Sequence, residues 1–183
     1  MLIYNIGQLI TVEGPPQKGN VLGALGLIEN AAVLIHGDIV VQVGDSDTLK
    51  RQYDREPGLN AEGKVVLPGF VDPHTHTVWA GDRAAEFEKR LEGKTYLEIL
   101  EAGGGILSTV NQTRKASRTE LKYQTRNRLK RMFLNGSTTI EVKTGYGLDI
   151  ETEQKMLQAV LELDDEGPWE LAFTYLGAHA IPP

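Results

Sequence analysis

Leu67-Pro68-Gly69-Phe70-Val71-Asp72-Pro73-His74-Thr75-His76 is the stretch on which the fold of this chain turns. The apolar run over residues 65–71 predicts a buried strand, with the two histidines at its C-terminal end. Residues two apart on an extended strand face the same way, so both imidazoles can reach one metal ion. In α/β barrels that end of the strands is where active sites are built. Imidazole nitrogens suit zinc or iron, and a metal held there can activate water for hydrolysis. The plainer alternative is a pair of ordinary strand histidines, one buried and one exposed. The apolar strand and the tight Pro-Gly and Asp-Pro turns favour the metal. Asp72 shares the histidines' face and could orient an imidazole, or serve only as the turn residue before Pro73.

From Lys64 onward, strands alternate with helices, the pattern of a parallel sheet built of βα units. Helices are expected around 84–92 and 96–102, the second opened by the capping box Thr95-x-x-Glu98 and stopped at Gly103-Gly104-Gly105. A longer helix is expected over 118–134, capped by Ser117-x-x-Glu120 and ended by Asn135-Gly136, with Leu121, Leu129, Met132 and Phe133 on one face. A strand over 138–143, a helix over 150–163 and a strand over 171–176 complete the pattern. On the first of these strands Thr139, Glu141 and Lys143 oppose Ile140 and Val142. A doubly covered parallel strand should be apolar on both faces. A polar face fits a strand turned toward a polar site inside a barrel. A wet edge strand is the alternative. A (β/α)8 barrel takes roughly 250 residues, so residues 64–183 are expected to form only its first three βα units, an incomplete barrel.

Residues 1–63 read differently, as a small β-module. An apolar segment over 1–12 is broken at 13–20. The apolar runs 31–36 and 39–43 flank Gly37-Asp38, a hairpin turn. His36 lies beside that turn and has no evident role.

Composition narrows the partners. The 183 residues carry a formal charge of −6, which argues against nucleic acid or an anionic membrane. No apolar stretch approaches the roughly 18 residues of a membrane helix, and the start lacks a signal-peptide pattern. A cytoplasmic protein is expected. With no cysteine, any metal must use nitrogen and oxygen ligands. The Lys/Arg-rich segment 114–131, whose one acidic residue is Glu120, lacks a binding motif and stacking aromatics, so it is expected to be a solvated helix face. The glycine run 103–105 has no Lys-Ser/Thr at phosphate-loop spacing and is expected to give flexibility near the site mouth.

Three further residues stand where a barrel would place its chemistry. His179 follows the third strand and could be a metal ligand, a substrate contact or a proton carrier. Arg83 lies on the loop after the histidine strand, where it could clamp a carboxylate or simply pair with Asp82 or Glu86. Tyr146, between Gly145 and Gly147, could turn its hydroxyl toward the site or be a plain turn residue.

Residues 67–76 resemble the metal-binding opening of the amidohydrolase superfamily. Four longer blocks are similar to the imidazolonepropionase family within it: Ala80-Gly-Asp-Arg-Ala-Ala-Glu-Phe87, Ala102-Gly-Gly-Gly-Ile106, Glu141-Val-Lys-Thr-Gly-Tyr-Gly-Leu-Asp149 and Leu176-Gly-Ala-His-Ala-Ile-Pro-Pro183. The resemblance covers residues 65–183, and the first 63 residues more loosely. It implies the N-terminal part of a metal-dependent amidohydrolase (β/α)8 TIM barrel preceded by a small β-sandwich module. The implied activity is hydrolysis of the ring C–N bond of 4-imidazolone-5-propanoate to N-formimidoyl-L-glutamate in histidine catabolism.

On that resemblance His74 and His76 are the first two ligands of a mononuclear zinc or iron site. Arg83 holds the propanoate, Tyr146 and His179 bind the ring, His179 also serves catalysis, and Tyr96 is a weaker contact. The family's other metal ligands, a histidine and an aspartate, and its acidic proton-transfer residue belong to later strands and have no counterpart here. The isolated chain is therefore expected to be inactive and poorly stable, and the complete protein to be the enzyme. A homodimer is compatible with the resemblance, although the sequence itself sets no oligomeric state. Two alternatives stand beside this reading. One is another amidohydrolase, such as a cyclic-amide hydrolase or a purine or guanine deaminase. The other is a non-catalytic half-chain that assembles with a separate C-terminal polypeptide.

Overall fold

The computed structural model describes residues 1–14 and 18–181. The break expected at 13–20 therefore lies partly, and the terminal Pro182-Pro183 wholly, outside the described residues. The chain divides into two compact units, Met1–Pro68 and Gly69–Pro183.

In the first unit, β1 (Leu2–Ile10), β2 (Leu27–His36), β3 (Ile39–Asp45), β4 (Gly58–Asn60) and β5 (Val65–Val66) form one five-stranded sheet, with α1 (Ser46–Gln52) after β3. The order is β3-β2-β1-β4, and β5 adds to β1 beyond β4. The sandwich module expected from the sequence thus takes the form of a single sheet with an apolar cluster on each face. Ala32 and Leu34 of β2 join Leu2 and Leu49 in one cluster, while Ala31 and Val33 join Ile6 and Leu9 in the other. This is the two-residue alternation of a strand covered on both sides. The expected hairpin joins β2 to β3, His36 pairing with Ile39 across Gly37-Asp38. Gly37 has φ +58, the left-handed geometry that such tight turns demand.

The strand expected over 65–71 is in fact two. Val65 and Val66 pair in parallel with Gln8 and Leu9 of β1, whereas β6 (Phe70–Thr75) belongs to the second unit. Leu67-Pro68-Gly69 parts them, since proline offers no N–H to continue a ladder. The division consequently falls after Pro68 rather than after Gly63. Nor is the run buried in this chain: Phe70 is 54% and Val71 65% exposed.

The second unit contains α2 (Ala84–Leu91), α3 (Tyr96–Glu101), α4 (Ile106–Lys115), α5 (Arg118–Leu134), β7 (Ser137–Lys143), α6 (Ile150–Asp164) and β8 (Glu170–Thr174). Its sheet is parallel, in the order β6-β7-β8. Ile140 and Val142 of β7 are buried against Leu121 and Leu129 of α5 and Met156, Val160 and Leu163 of α6. Each such side chain, fully buried, contributes about 1.5–3 kcal/mol. On the opposite face Thr139, Glu141 and Lys143 are only partly buried. There the Glu141 carboxylate accepts hydrogen bonds from Thr174 Oγ1 at 2.6 Å and Lys143 Nζ at 2.5 Å.

The caps of these helices follow the sequence. Thr95 and Glu98 form the reciprocal capping box of α3, Ser117 accepts the Glu120 N–H, and Asn135-Gly136 closes α5. Helix α4 was not expected. It starts at Gly105 without a side-chain cap, and two of its three buried residues are threonines, Thr109 and Thr113. At its other end Lys155 Nζ donates to the carbonyls of Thr113, Arg114 and Ala116, satisfying groups a helix terminus leaves open. On the basic segment, Arg118, Lys122 and Arg126 pair with Glu162 of α6 and with Glu166 just past its end. No helix among the described residues is long and apolar enough to cross a membrane.

Candidate active site

Three loops at the C-terminal ends of β6, β7 and β8 bring four rings together. His74 is the penultimate residue of β6 and His76 lies just past the strand, with ring centroids 5.9 Å apart. The His179 ring approaches His76 to 4.6 Å, and Tyr146 lies 5.4 Å from His76 and 5.7 Å from His179, edge-on to the latter. Thr75 Oγ1 donates to the Glu141 carbonyl at 2.6 Å, tying the end of β6 to β7 between the two histidines. Asp72 takes the turn role: its Oδ1 accepts the backbone N–H of His74 at 3.3 Å, not an imidazole.

The loop carrying Tyr146 is held from within. Glu153, in the first turn of α6 and 1% exposed, accepts three backbone hydrogen bonds, from Gly145 (2.8 Å), Gly147 (2.7 Å) and Leu148 (2.9 Å). Arg114 donates from Nε to the Gly147 carbonyl at 2.8 Å and pairs with Asp149. Gly145 has φ +120, and a Cβ there would stand 2.7 Å from the Cβ of His179. Only glycine permits both that backbone and that approach.

Burial, followed by the proximity of His179 and His74, pushes the His76 pKa below its ordinary 6.5, while a backbone hydrogen bond with Thr144 opposes the shift. The imidazole is therefore neutral at neutral pH. Its Nδ1 is buried and has no hydrogen-bond partner, which is uncommon for a buried polar atom. A neutral imidazole with an unsatisfied nitrogen is the chemistry of a metal ligand, so this residue fits the role the sequence suggests. Among the described residues, however, no group of three or more His, Asp or Glu is arranged to hold a metal ion. His74 and His76 offer half a coordination shell.

Arg83 and Tyr96 belong to a second cluster. Arg83 donates from both Nε (2.9 Å) and Nη2 (2.7 Å) to Glu86 Oε2, and Glu86 Oε1 accepts the Gly105 N–H at 2.8 Å. A Cβ on Gly105 would lie 3.8 Å from both Arg83 Nη2 and Tyr96 Oη, so both side chains border the glycine loop. The pairing of Arg83 with Glu86 is thus realised. No hydrogen bond among the described residues uses Nη1 of Arg83, whose donors stay open to a second carboxylate. The Arg83 hydrogen bond holds the Glu86 carboxyl below its ordinary 4.5, against the opposing effect of burial and with help from the Gly105 N–H.

Glu153 and Arg128 are residues the sequence did not reveal as part of this region, and Glu86 it offered only as one of two partners for Arg83. Arg128 donates from Nη1 to the carbonyls of Thr77 (3.0 Å) and Trp79 (2.7 Å), and its Cζ lies 3.4 Å from the Trp79 ring centroid. It therefore grips the segment directly after His76. Burial, with Arg131 nearby, lowers its pKa to about 10, and the guanidinium is still charged at neutral pH. A signal was available: Arg128 follows the buried Leu121 and Thr125 at the seven- and three-residue spacing of one helix face.

No protein-family model matches the chain. Curated imidazolonepropionases match it throughout. That of Chloroflexus aggregans is 46% identical over 185 residues, covering 100% of this chain and 43% of that protein. That of Bacillus cytotoxicus is 48% identical over 184 residues, again covering 100% and 43%. Among solved structures, E. coli guanine deaminase superposes with a TM-score of 0.66 at 20% identity, over 95% of this chain and 37% of that one. An atrazine chlorohydrolase from Arthrobacter aurescens TC1, complexed with zinc, gives 0.58 at 18% identity, over 95% and 35%. At those identities the likeness speaks for fold alone. The architecture and the strand-end histidines define part of an amidohydrolase-type α/β fold. By sequence the chain is similar to the N-terminal part of the curated imidazolonepropionases it matches. It spans about two-fifths of the length of the curated relatives it matches.

Proposed function

We propose that this chain forms the N-terminal part of an imidazolonepropionase, which hydrolyses 4-imidazolone-5-propanoate to N-formimidoyl-L-glutamate. The observation that carries the proposal is the convergence of His74, His76, Tyr146 and His179 at the ends of parallel strands, in a chain 46–48% identical to proteins of that name. Water adds across the ring amide, with hydroxyl going to the carbonyl carbon and a proton to the departing ring nitrogen. His74 and His76 would hold one zinc or iron ion together with ligands from further residues. When bound, such a metal polarises a carbonyl and lowers the pKa of water to near neutral.

The chain's own side chains do the rest of what is proposed here. The open Nη1 edge of Arg83 binds the propanoate, with Tyr96 beside it. Tyr146 Oη and His179 orient the ring, and His179 carries a proton to or from it. Such small-molecule chemistry fits a cytoplasmic setting. A deaminase would share the fold and the histidine pair, but the Arg83–Tyr96 cluster suits a carboxylate that a purine lacks.

The test expresses the complete open reading frame and offers it 4-imidazolone-5-propanoate, guanine and a hydantoin, following each by its ultraviolet absorbance. Consumption of the first alone is expected. His74→Ala and His76→Ala should each lose both activity and bound metal, the latter read by elemental analysis. Turnover of guanine in preference to the imidazolone would overturn the proposal.

A further inference from the structure

We infer that Glu86 is a positioning residue for substrate-carboxylate recognition, one that fixes the Arg83 guanidinium by one edge and presents the other. This rests on the proposed function for the identity of the carboxylate. The geometry is specific. Glu86 is 8% exposed, yet its two oxygens are used on different partners: Oε2 takes both Nε and Nη2 of Arg83, and Oε1 takes the N–H of Gly105. A merely surface-exposed pair would leave the arginine mobile and contribute little. Here the acceptor is buried and tied to the backbone of a second loop, so the guanidinium plane is set relative to Gly105 and Tyr96.

The arrangement also fixes which face of the arginine reads the ligand. With Nε committed to Glu86, the edge left for a bidentate carboxylate is Nη1 and the outer hydrogen of Nη2. Gly105 keeps that approach clear: its φ is +69, and any Cβ there would crowd Leu100 at 2.9 Å and stand near both Arg83 and Tyr96. The small cavity lined by Arg83, Glu86, Phe87 and Arg90 adds a further cation to the neighbourhood, which offsets the repulsion between the Glu86 carboxylate and an incoming one.

The deciding experiment is a double-mutant cycle on the complete enzyme, with Glu86→Gln, Arg83→Ala and the two combined. Glu86→Gln should raise KM for 4-imidazolone-5-propanoate about tenfold while kcat stays within about twofold, since uniform binding is what is lost. In the Arg83→Ala background the same change should add almost nothing. A fall in KM on Glu86→Gln, showing that Glu86 competes with the substrate instead, would overturn the role. So would additive effects of the two substitutions. A second readout does not depend on turnover: the Arg83 Nε–H resonance in ligand-free protein should exchange slowly with solvent and be lost in Glu86→Gln. An unchanged resonance would also overturn the inference. Wild-type enzyme that leaves the imidazolone intact while keeping that resonance would refute the substrate and uphold the positioning of Arg83.

Discussion

Replacing Glu153 tests whether the Tyr146 loop is held by one buried carboxylate. Glu153→Ala leaves the N–H groups of Gly145, Gly147 and Leu148 without their acceptor. Each buried donor so stranded costs about 1–3 kcal/mol. The three are neighbours on one short loop, so relaxation and entering water are shared and their costs do not simply add. A loss of about 3–4 kcal/mol is expected, at the low end of the sum. Glu153→Gln discriminates further. Gly147 and Leu148 share Oε1, so an amide oxygen placed there keeps two bonds and turns its NH2 against the Gly145 N–H. That variant should lose about 1–2 kcal/mol, one stranded donor. Urea unfolding of the protein measures both, and amide hydrogen exchange at the three donors locates the change. The reasoning fails if Glu153→Ala costs less than about 1 kcal/mol, or if Gln is as damaging as Ala.

Gly145→Ala should cost about 1–3 kcal/mol through its φ of +120. It should also lower kcat/KM beyond what stability explains, because the new methyl would meet the His179 Cβ. Thermal melts and steady-state kinetics on the same preparation separate the two effects, and wild-type kinetics would contradict the close approach. Titration gives a further outcome. The Glu86 pKa is depressed in the folded chain, so the stability it contributes is present above its unfolded value near 4.5 and is lost as pH falls through the lower, folded value. The melting-temperature difference between wild type and Glu86→Gln should therefore be constant above about pH 5 and shrink below 4.5. A difference that instead grows on acidification would reverse the sign of the argument.

Much of this could be read from the chain because local chemistry announces it. The His-x-His pair, the Thr95 capping box, the Gly37-Asp38 hairpin and the alternation on β7 each depend on neighbours within a few residues. What stayed hidden depends on partners far away. Helix α4 buries threonines where aliphatics would mark a face, and Thr113 Oγ1 accepts the N–H of Ala80, 33 positions earlier. The run 65–71 looks continuous by hydropathy, but Pro68 and Gly69 hand its halves to different sheets. Glu153 resembles any acidic residue placed in a helix's first turn for its dipole, and nothing nearby shows that it faces inward. Of the candidate site residues, the ring cluster was legible as strand-end positions. The Glu86 link was legible only as one of two possible pairings for Arg83.

Arg128 changes how the outer helical layer should be regarded. A guanidinium clasping two carbonyls while stacked on an indole makes α5 a strut, and the strut ends on the backbone that leaves His76. Lysine cannot replace it, because one ammonium lacks both the planar fork and the stacking surface. Anyone redesigning the charged exterior of α5 for solubility would therefore be adjusting, at this one position, the course of the backbone that leaves His76.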